Sequence, residues 1–224
     1  MISETPLDNP VWSTLVDTHA NYCINYGNVK FFKPDYAPFG AFTNIEDTKN
    51  AIIQHAKILD EFFIVGDKPL LPNGFKIKKY VGLQMVAYNL IKQPISENII
   101  QLNTIHHNDL LTLIKIAYPH FFKNKTDVLG RYFGIYKNKQ LVAITGERMQ
   151  TNNFTEISAV VTHPEHTGNG YAKQLITHTA KKIIESKKIP FLHVDENNVG
   201  PINLYKKLGF TERRKMYYWL ISRA

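Results

Sequence analysis

The sequence predicts an α+β chain built on a mixed sheet, with helices following strands through its C-terminal half. Three observations carry that prediction. Residues 156–172, EISAVVTHPEHTGNGYA, pass from an apolar stretch through a turn to Gly168-Asn169-Gly170, and a helix-period pattern follows at Ala172, Leu175, Ile176, Thr179 and Ile183. Two strand-like segments, 131–136 and 140–148, meet at Lys137-Asn138-Lys139, a hairpin signal. Farther on, Pro201 stands in the first turn of a helical stretch and Gly209 just past its end, the usual helix asymmetry.

Composition sets the bounds. A chain of 224 residues makes one large domain or two small ones, and 44% hydrophobic with 21% charged residues is the balance of an ordinary globular protein. No apolar run reaches the roughly 18 residues of a membrane span, and MISETPLDNP lacks the basic and apolar regions of a secretory signal. Cys23 is the sole cysteine, which excludes an internal disulfide and a cysteine-based zinc site and leads us to expect a cytoplasmic protein. The net charge of +8 is uneven: residues 1–97 hold nine Lys and ten acids, residues 98–224 eighteen Lys plus Arg and nine acids. The excess would attract a polyanionic ligand, or it is a solvated surface. Nucleic acid binding leaves a similar footprint, but Lys181, Lys182, Lys187 and Lys188 fall on the polar side and end of one helix, so neither nucleic acid nor membrane is expected as a partner.

In chain order, residues 10–20 predict a short helix capped by Asp8 or Asn9 with Pro10 at its first position. Residues 27–40, aromatic and proline-rich, predict short strands and turns. Residues 44–59 show helical spacing, 62–65 a buried strand, and 75–88 a longer strand entered through the Asn73-Gly74 turn. Residues 91–98, with Pro94 and Ser96, mark the expected boundary between an N-terminal domain, 1–97, and a second domain, 98–224. The second reads strand 99–103, helix 108–117 with Pro119 beyond it, a loop or short helix over 121–129, the two hairpin strands, strand 154–162, helix 170–186, strand 191–194, helix 201–208, and an aromatic strand 216–222 expected to close the sheet.

A strand, a glycine loop and a helix aim backbone N–H groups and a helix N-terminus at a phosphate. A P-loop would need Lys and Ser or Thr after the second glycine, where Tyr171 and Ala172 stand. A dinucleotide site would open the domain with such a loop, whereas several strands precede it; Asp195 falls near the distance expected of its acid.

The second motif, Asn198 to Phe210 (NVGPINLYKKLGF), gives the loop its context. HPEHTGNGYA followed one helix and one strand later by NVGPINLYKKLGF resembles the GNAT superfamily of acyl-CoA N-acyltransferases, and TEISAVVTHP resembles its glycine N-acyltransferase-like branch. The resemblance covers about residues 98–222. It implies a GNAT fold there, with a smaller, degenerate GNAT-like α/β half before it, and an N-acetyltransferase that passes an acetyl group from acetyl-CoA, with no metal, to a small-molecule or peptide amine. A non-catalytic CoA-binding or partner-binding module of the same shape is the alternative. Val160, Val161 and Thr162 would part from the neighbouring strand and bond the pantetheine arm, one N–H polarising the thioester carbonyl. Thr167, Gly168, Asn169, Gly170, Tyr171 and Ala172 would wrap the diphosphate. Asn198 would touch the arm near the sulfur, and Tyr205 would protonate the departing thiolate. Where the family prefers Gln or Arg three residues before the first glycine, and Arg directly before it, Glu165 and Thr167 stand here; Lys173 or a neighbouring basic residue is the expected compensation.

An attacking amine must lose a proton. Glu156, expected on the face opposite Ile157, Ala159 and Val161, and Glu147, near the end of the preceding strand, are the candidate bases; for each the competing reading is a salt bridge, for instance with Arg148. His163 and His166 lack a third metal ligand and read as turn residues, His106 and His107 as helix-entry surface, and His193 as a buried histidine near the site. Tyr217, Tyr218 and Trp219 either line the acceptor pocket or pack in a strand.

Overall fold

The computed structural model describes residues 3–117 and 121–224. Two short helices come first, α1 (Thr5–Asp8) and α2 (Pro10–Val16). Asn9 caps the second by accepting from the Trp12 N–H at 3.3 Å, and Pro10 fills the first position, where a missing N–H costs nothing. The remaining helices are α3 (Thr48–His55), α4 (His107–Ala117), α5 (Tyr171–Glu185) and α6 (Val199–Lys207). Pro119, expected to stop α4, lies outside the described residues.

The strands are β1 (Cys23–Asn25), β2 (Val29–Phe32), β3 (Phe39–Phe42), β4 (Glu61–Val65), β5 (Phe75–Val86), β6 (Ile99–Leu102), β7 (Tyr132–Lys137), β8 (Gln140–Gln150), β9 (Phe154–Thr162), β10 (Ile189–Asp195) and β11 (Thr211–Arg223). The expected hairpin joins β7 to β8 through Asn138 and Lys139, both at positive φ (49° and 66°), the backbone of a two-residue turn matched to strand twist.

The eleven strands among the described residues form one sheet in the order β1-β2-β3-β4-β11-β5-β10-β9-β8-β7-β6. The expectation that the last strand closes the sheet is corrected: β11 is central, antiparallel to β4 on one side and to β5 along its whole length on the other. Its side chains explain the position. Tyr218 and Leu220 pack toward one core and Ile221 toward the other, so both faces are covered, as an interior strand requires.

The order also reveals a repeat that the residues do not spell out. Each half holds one parallel pair joined through a helix, β3 and β4 through α3, β9 and β10 through α5. The strand following each pair, β5 or β11, lies on the far side of its counterpart, so β5 pairs with β10 and β11 with β4. The sheet therefore runs unbroken across residue 97.

Two layers of helix cover it. Leu7, Val11 and Leu15 of α1 and α2 pack with Phe39, Phe63, Val65 and Phe191, and α4 adds Leu110, Leu113 and Ile114 on the same face. On the opposite face α3 packs Ile52 on Phe62 and Ile64, while α5 sets Ile176 and Ile183 against Ile157 and Leu192, where α6 joins through Ile202 and Tyr205. No helix among the described residues is long and apolar enough to cross a membrane.

Strand β9 departs from strict alternation. Ala159 sits at φ 49°, and the register with β8 slips between Ile144 (opposite Val161) and Gly146 (opposite Ser158), the mark of a bulge. Ile157 faces α5, but beyond the bulge Ala159 and Val161 face α4. The expectation that Ile157, Ala159 and Val161 share a face is corrected accordingly: only Ile157 lies opposite Glu156. Period-two reading assumes an unbroken pleat, and one extra residue inverts it.

Candidate active site

The parallel pairing of β9 with β10 runs from Phe154/Ile189 to Ile157/Leu192 and stops there, while both strands continue, β9 to Thr162 and β10 to Asp195. The gap begins where the bulge begins. A cavity of about 290 Å³ occupies it. Its wall takes Phe39, Phe63, Glu156, His193 and Tyr218 from the α2 side of the sheet, and Val194, Asn198, Pro201 and Tyr205 from the α6 side. Side chains from both faces of one sheet meet in a single cavity only because the strands have parted, so the cavity is a passage through the sheet.

A second, more open hollow of about 470 Å³ lies at the end of β9, bounded by Thr162, His166 to Lys173, and Leu204, the neighbour of Tyr205 on α6. Gly168 and Gly170 take positive φ (81° and 73°), a conformation that disfavours other side chains. Gly170 opens the 15-residue helix α5 with no side-chain cap, and among the described residues the N–H groups of Gly168, Asn169 and Gly170 have no protein acceptor. The loop is fastened from within: Thr167 Oγ1 donates to the Pro164 carbonyl (3.1 Å) and Asn169 Nδ2 to that of His166 (3.0 Å). Ala172 and Lys173 border the hollow, but the Tyr171 ring turns into the core with Phe133 and Leu175, leaving only its backbone for a ligand. Glu165 is exposed and lines neither cavity.

Glu156 is buried at the centre of a polar cluster. Arg148 grips it with two hydrogen bonds, Nε to Oε2 and Nη2 to Oε1, both 2.8 Å; the Met149 N–H donates to Oε2 (3.3 Å) and His193 Nδ1 to Oε1 (2.8 Å). Those four donors fill the four acceptor positions of a carboxylate. Burial alone would raise this carboxyl, but the Arg148 charge and hydrogen bonds, with that of His193, outweigh it and hold the group well below the usual range. The tautomer of His193 follows from its neighbours: Gln84 Nε2 approaches His193 Nε2 at 3.2 Å and the Leu7 carbonyl at 2.9 Å, while Gln84 Oε1 accepts from Arg213 (2.9 Å). Gln84 thus donates to His193 Nε2, and Nδ1 carries the proton toward Glu156. Arg213 in turn binds Glu4 (2.8 Å) and Asp8 (2.7 Å), tying α1 to the cluster.

Glu147 sits elsewhere. It is opposite Ile157 in the β8–β9 register and so faces α5; Arg131 engages its carboxylate, with Nη2 at 2.5 Å from Oε1, and also reaches the Lys182 carbonyl. It lines neither cavity.

Of the other expected side chains, Val160, Asn198 and Tyr205 line the passage, Thr162 lines the hollow, and Val161 packs into the α4 core. Tyr218 lines the passage, whereas the Tyr217 ring pairs with Lys79 (3.9 Å) and Trp219 Nε1 donates to the Gly66 carbonyl (3.0 Å). His163 Nδ1 accepts from the Glu165 N–H, His106 Nδ1 from that of Asn103, and His107 pairs with Asp127 at 2.7 Å. Among the described residues no three His, Cys, Asp or Glu side chains converge as for a metal ion. Phe39, Phe63, Tyr80, Phe121, Gln84 and Arg213 escaped the sequence reading, since nothing in a lone aromatic or amide reports which strand will lie beside it.

Comparison with known proteins agrees with this geometry. The FR47-like protein family matches residues 132–220, from β7 to near the end of β11. No protein of curated function matches the sequence. Among solved structures, one from Novosphingobium aromaticivorans, described as an acetyltransferase of the GNAT family, superposes with a TM-score of 0.88 at 29% identity over 98% of this chain and 99% of that one. The chain has the GNAT fold. A GCN5-related N-acetyltransferase from Kribbella flavida (TM-score 0.65, 13% identity, 100% and 96% of the two chains) and a GCN5-related N-acetyltransferase-like protein from Streptococcus suis (0.64, 11%, 98% and 96%) share that fold across their lengths. These superpositions take in residues 1–97 as well as the part of the chain that carries the motifs.

Proposed function

We propose that this protein is an acyl-CoA-dependent N-acyltransferase that moves the acetyl group of acetyl-CoA to a primary amine. The passage through the sheet between β9 and β10 carries the reading: it lets a thioester enter from one side and an amine from the other, to meet where the strands part. TEISAVVTHP and a GNAT-like N-terminal half support the glycine N-acyltransferase-like branch.

The residues present suit the coenzyme. Uncapped N–H groups at the start of α5, with Lys173 beside them, offer an anion site without the arginine the family prefers. Acetyl-CoA supplies an acyl group already activated as a thioester. Val160 to Thr162 present backbone groups to the arm, and an N–H there steadies charge on the carbonyl oxygen. Asn198 holds the arm near the sulfur, and Tyr205, a neutral phenol at pH 7, returns a proton to the thiolate. Glu156, with all acceptor positions filled, positions Arg148 and His193 rather than taking the amine's proton; that proton leaves through water.

Calorimetry with acetyl-CoA and a thiol-release assay test the reading. Tyr205→Phe lowers kcat at least tenfold with the acetyl-CoA dissociation constant unchanged. Absence of acetyl-CoA binding by the unmodified protein would overturn the proposal. Tight binding with no thiol release across an amine panel would favour the non-catalytic module.

A further inference from the structure

Resting on the acyltransferase reading, we infer that the acceptor is a monoamine carried on an uncharged aromatic body, as in an arylalkylamine, and not an amino acid, a polyamine or an amino sugar. The wall of the passage on the acceptor side is aromatic. Phe39, Phe63, Tyr80, Phe121 and Tyr218 contribute to it, drawn from β3, β4, β5, the segment after α4, and β11. Their rings present faces and edges to one another, Phe63 to Phe121 at 5.4 Å, Phe63 to Tyr80 at 6.0 Å, and Phe39 to Tyr218 at 6.1 Å and 67°. A ring inserted among such rings finds the edge-to-face contacts that aromatic pairs prefer.

Charge excludes the alternatives. A carboxylate on the acceptor would need a cation on this wall, and Arg148 is held by Glu156 on two hydrogen bonds and by the Phe39 face, 4.8 Å from its guanidinium carbon. A second ammonium would need an anion. Of the two carboxylates that the described residues place on the wall, Glu156 has its acceptor positions filled, and Asp195, exposed at the thioester end, accepts at Oδ1 from the Asn197 N–H (2.8 Å) and side-chain amide (3.1 Å), which leaves Oδ2 for one ammonium. One carboxylate at that end suits one amine. An amino sugar would bring more hydroxyls than the Tyr80 and Ser158 hydroxyls on this largely aromatic wall can partner, and would bury the rest against rings. Size agrees: an apolar cavity of roughly 150 Å³ holds benzene, and about 290 Å³ leaves room for a short linker and the acyl group.

The test compares kcat/KM for phenethylamine, glycine, spermidine and glucosamine at fixed acetyl-CoA. Binding of acetyl-CoA, and of phenethylamine to the protein with CoA, is followed by calorimetry. We expect phenethylamine to be preferred at least tenfold. Phe63→Leu, with Phe121→Leu as a second variant should the first fail to fold, lowers that preference at least fivefold while acetyl-CoA affinity stays unchanged. Preference for glycine, spermidine or glucosamine overturns the inference, as does acetyl-CoA binding with neither binding nor turnover of phenethylamine. Failure to bind acetyl-CoA at all strikes the acyltransferase reading instead, so the two failures are told apart.

Discussion

Arg148 and Glu156 form a buried, hydrogen-bonded ion pair beside the passage. An acid at the start of a central strand, near a thioester site, invites a general base. In the fold it is buried, doubly bonded by Arg148 and bonded again by His193 and a backbone N–H. Removing one member of such a pair leaves a buried charge uncompensated, at a cost of about 3–5 kcal/mol, whereas replacing both with apolar groups restores much of the loss. Arg148→Met should therefore be destabilised by about 3 kcal/mol in urea denaturation, and Arg148→Met/Glu156→Leu should recover at least half of it. Simple addition of the two single losses in the double variant would show that the pair is not coupled as described.

At the scale of the element, β9 is where sequence and structure part company. The strand itself was legible over 154–162, as was α5 after the glycines, because β-branched and apolar runs and helical spacing report local structure. The bulge was not, because Ala159 is an unremarkable strand residue and the slip is imposed by pairing with β8. Positive φ at a non-glycine residue costs about 1–3 kcal/mol, and a β-branched side chain there is worse. Ala159→Gly should leave thermal stability unchanged or raise it. Ala159→Val should lower it and weaken acetyl-CoA binding at least tenfold by calorimetry, as the strand straightens and the gap narrows. Equal acetyl-CoA affinity in both variants would mean the bulge does not maintain the passage. Gly168, Gly170, Asn198 and Tyr205 can be singled out in the sequence since each sits in a short, local pattern, and the fold sets them on the hollow or the passage. The aromatic wall of the passage cannot be read that way, since its rings come from positions as distant as Phe39 and Tyr218.

At the scale of the whole molecule, the exchange of β5 and β11 makes each half structurally dependent on the other. A fragment of residues 1–97 would retain β5 without either of its neighbours, β10 and β11. That fragment alone should give a far-ultraviolet spectrum with little strand signal. Mixed with residues 98–224 it should recover the spectrum of the intact chain, and the intact chain should unfold in one cooperative transition. A well-folded isolated fragment would show that the halves are independent. Residues 91–98 read as a boundary because Pro94 and Ser96 interrupt both periodicities; no local signal tells a strand to leave its own half.

The place of β11 also sets a clock on folding. The other ten strands of the sheet among the described residues emerge from the ribosome before it, yet it fills the slot between β4 and β5. Until it arrives, two inner strands present unpaired backbone edges, rich in Phe62, Phe63, Ile64 and Leu83, of the kind that seeds association between chains. The nascent protein is thus most vulnerable until β11 has been made and docked, and substitutions that slow its docking would reduce the yield of folded chain more than they reduce the stability of the finished one.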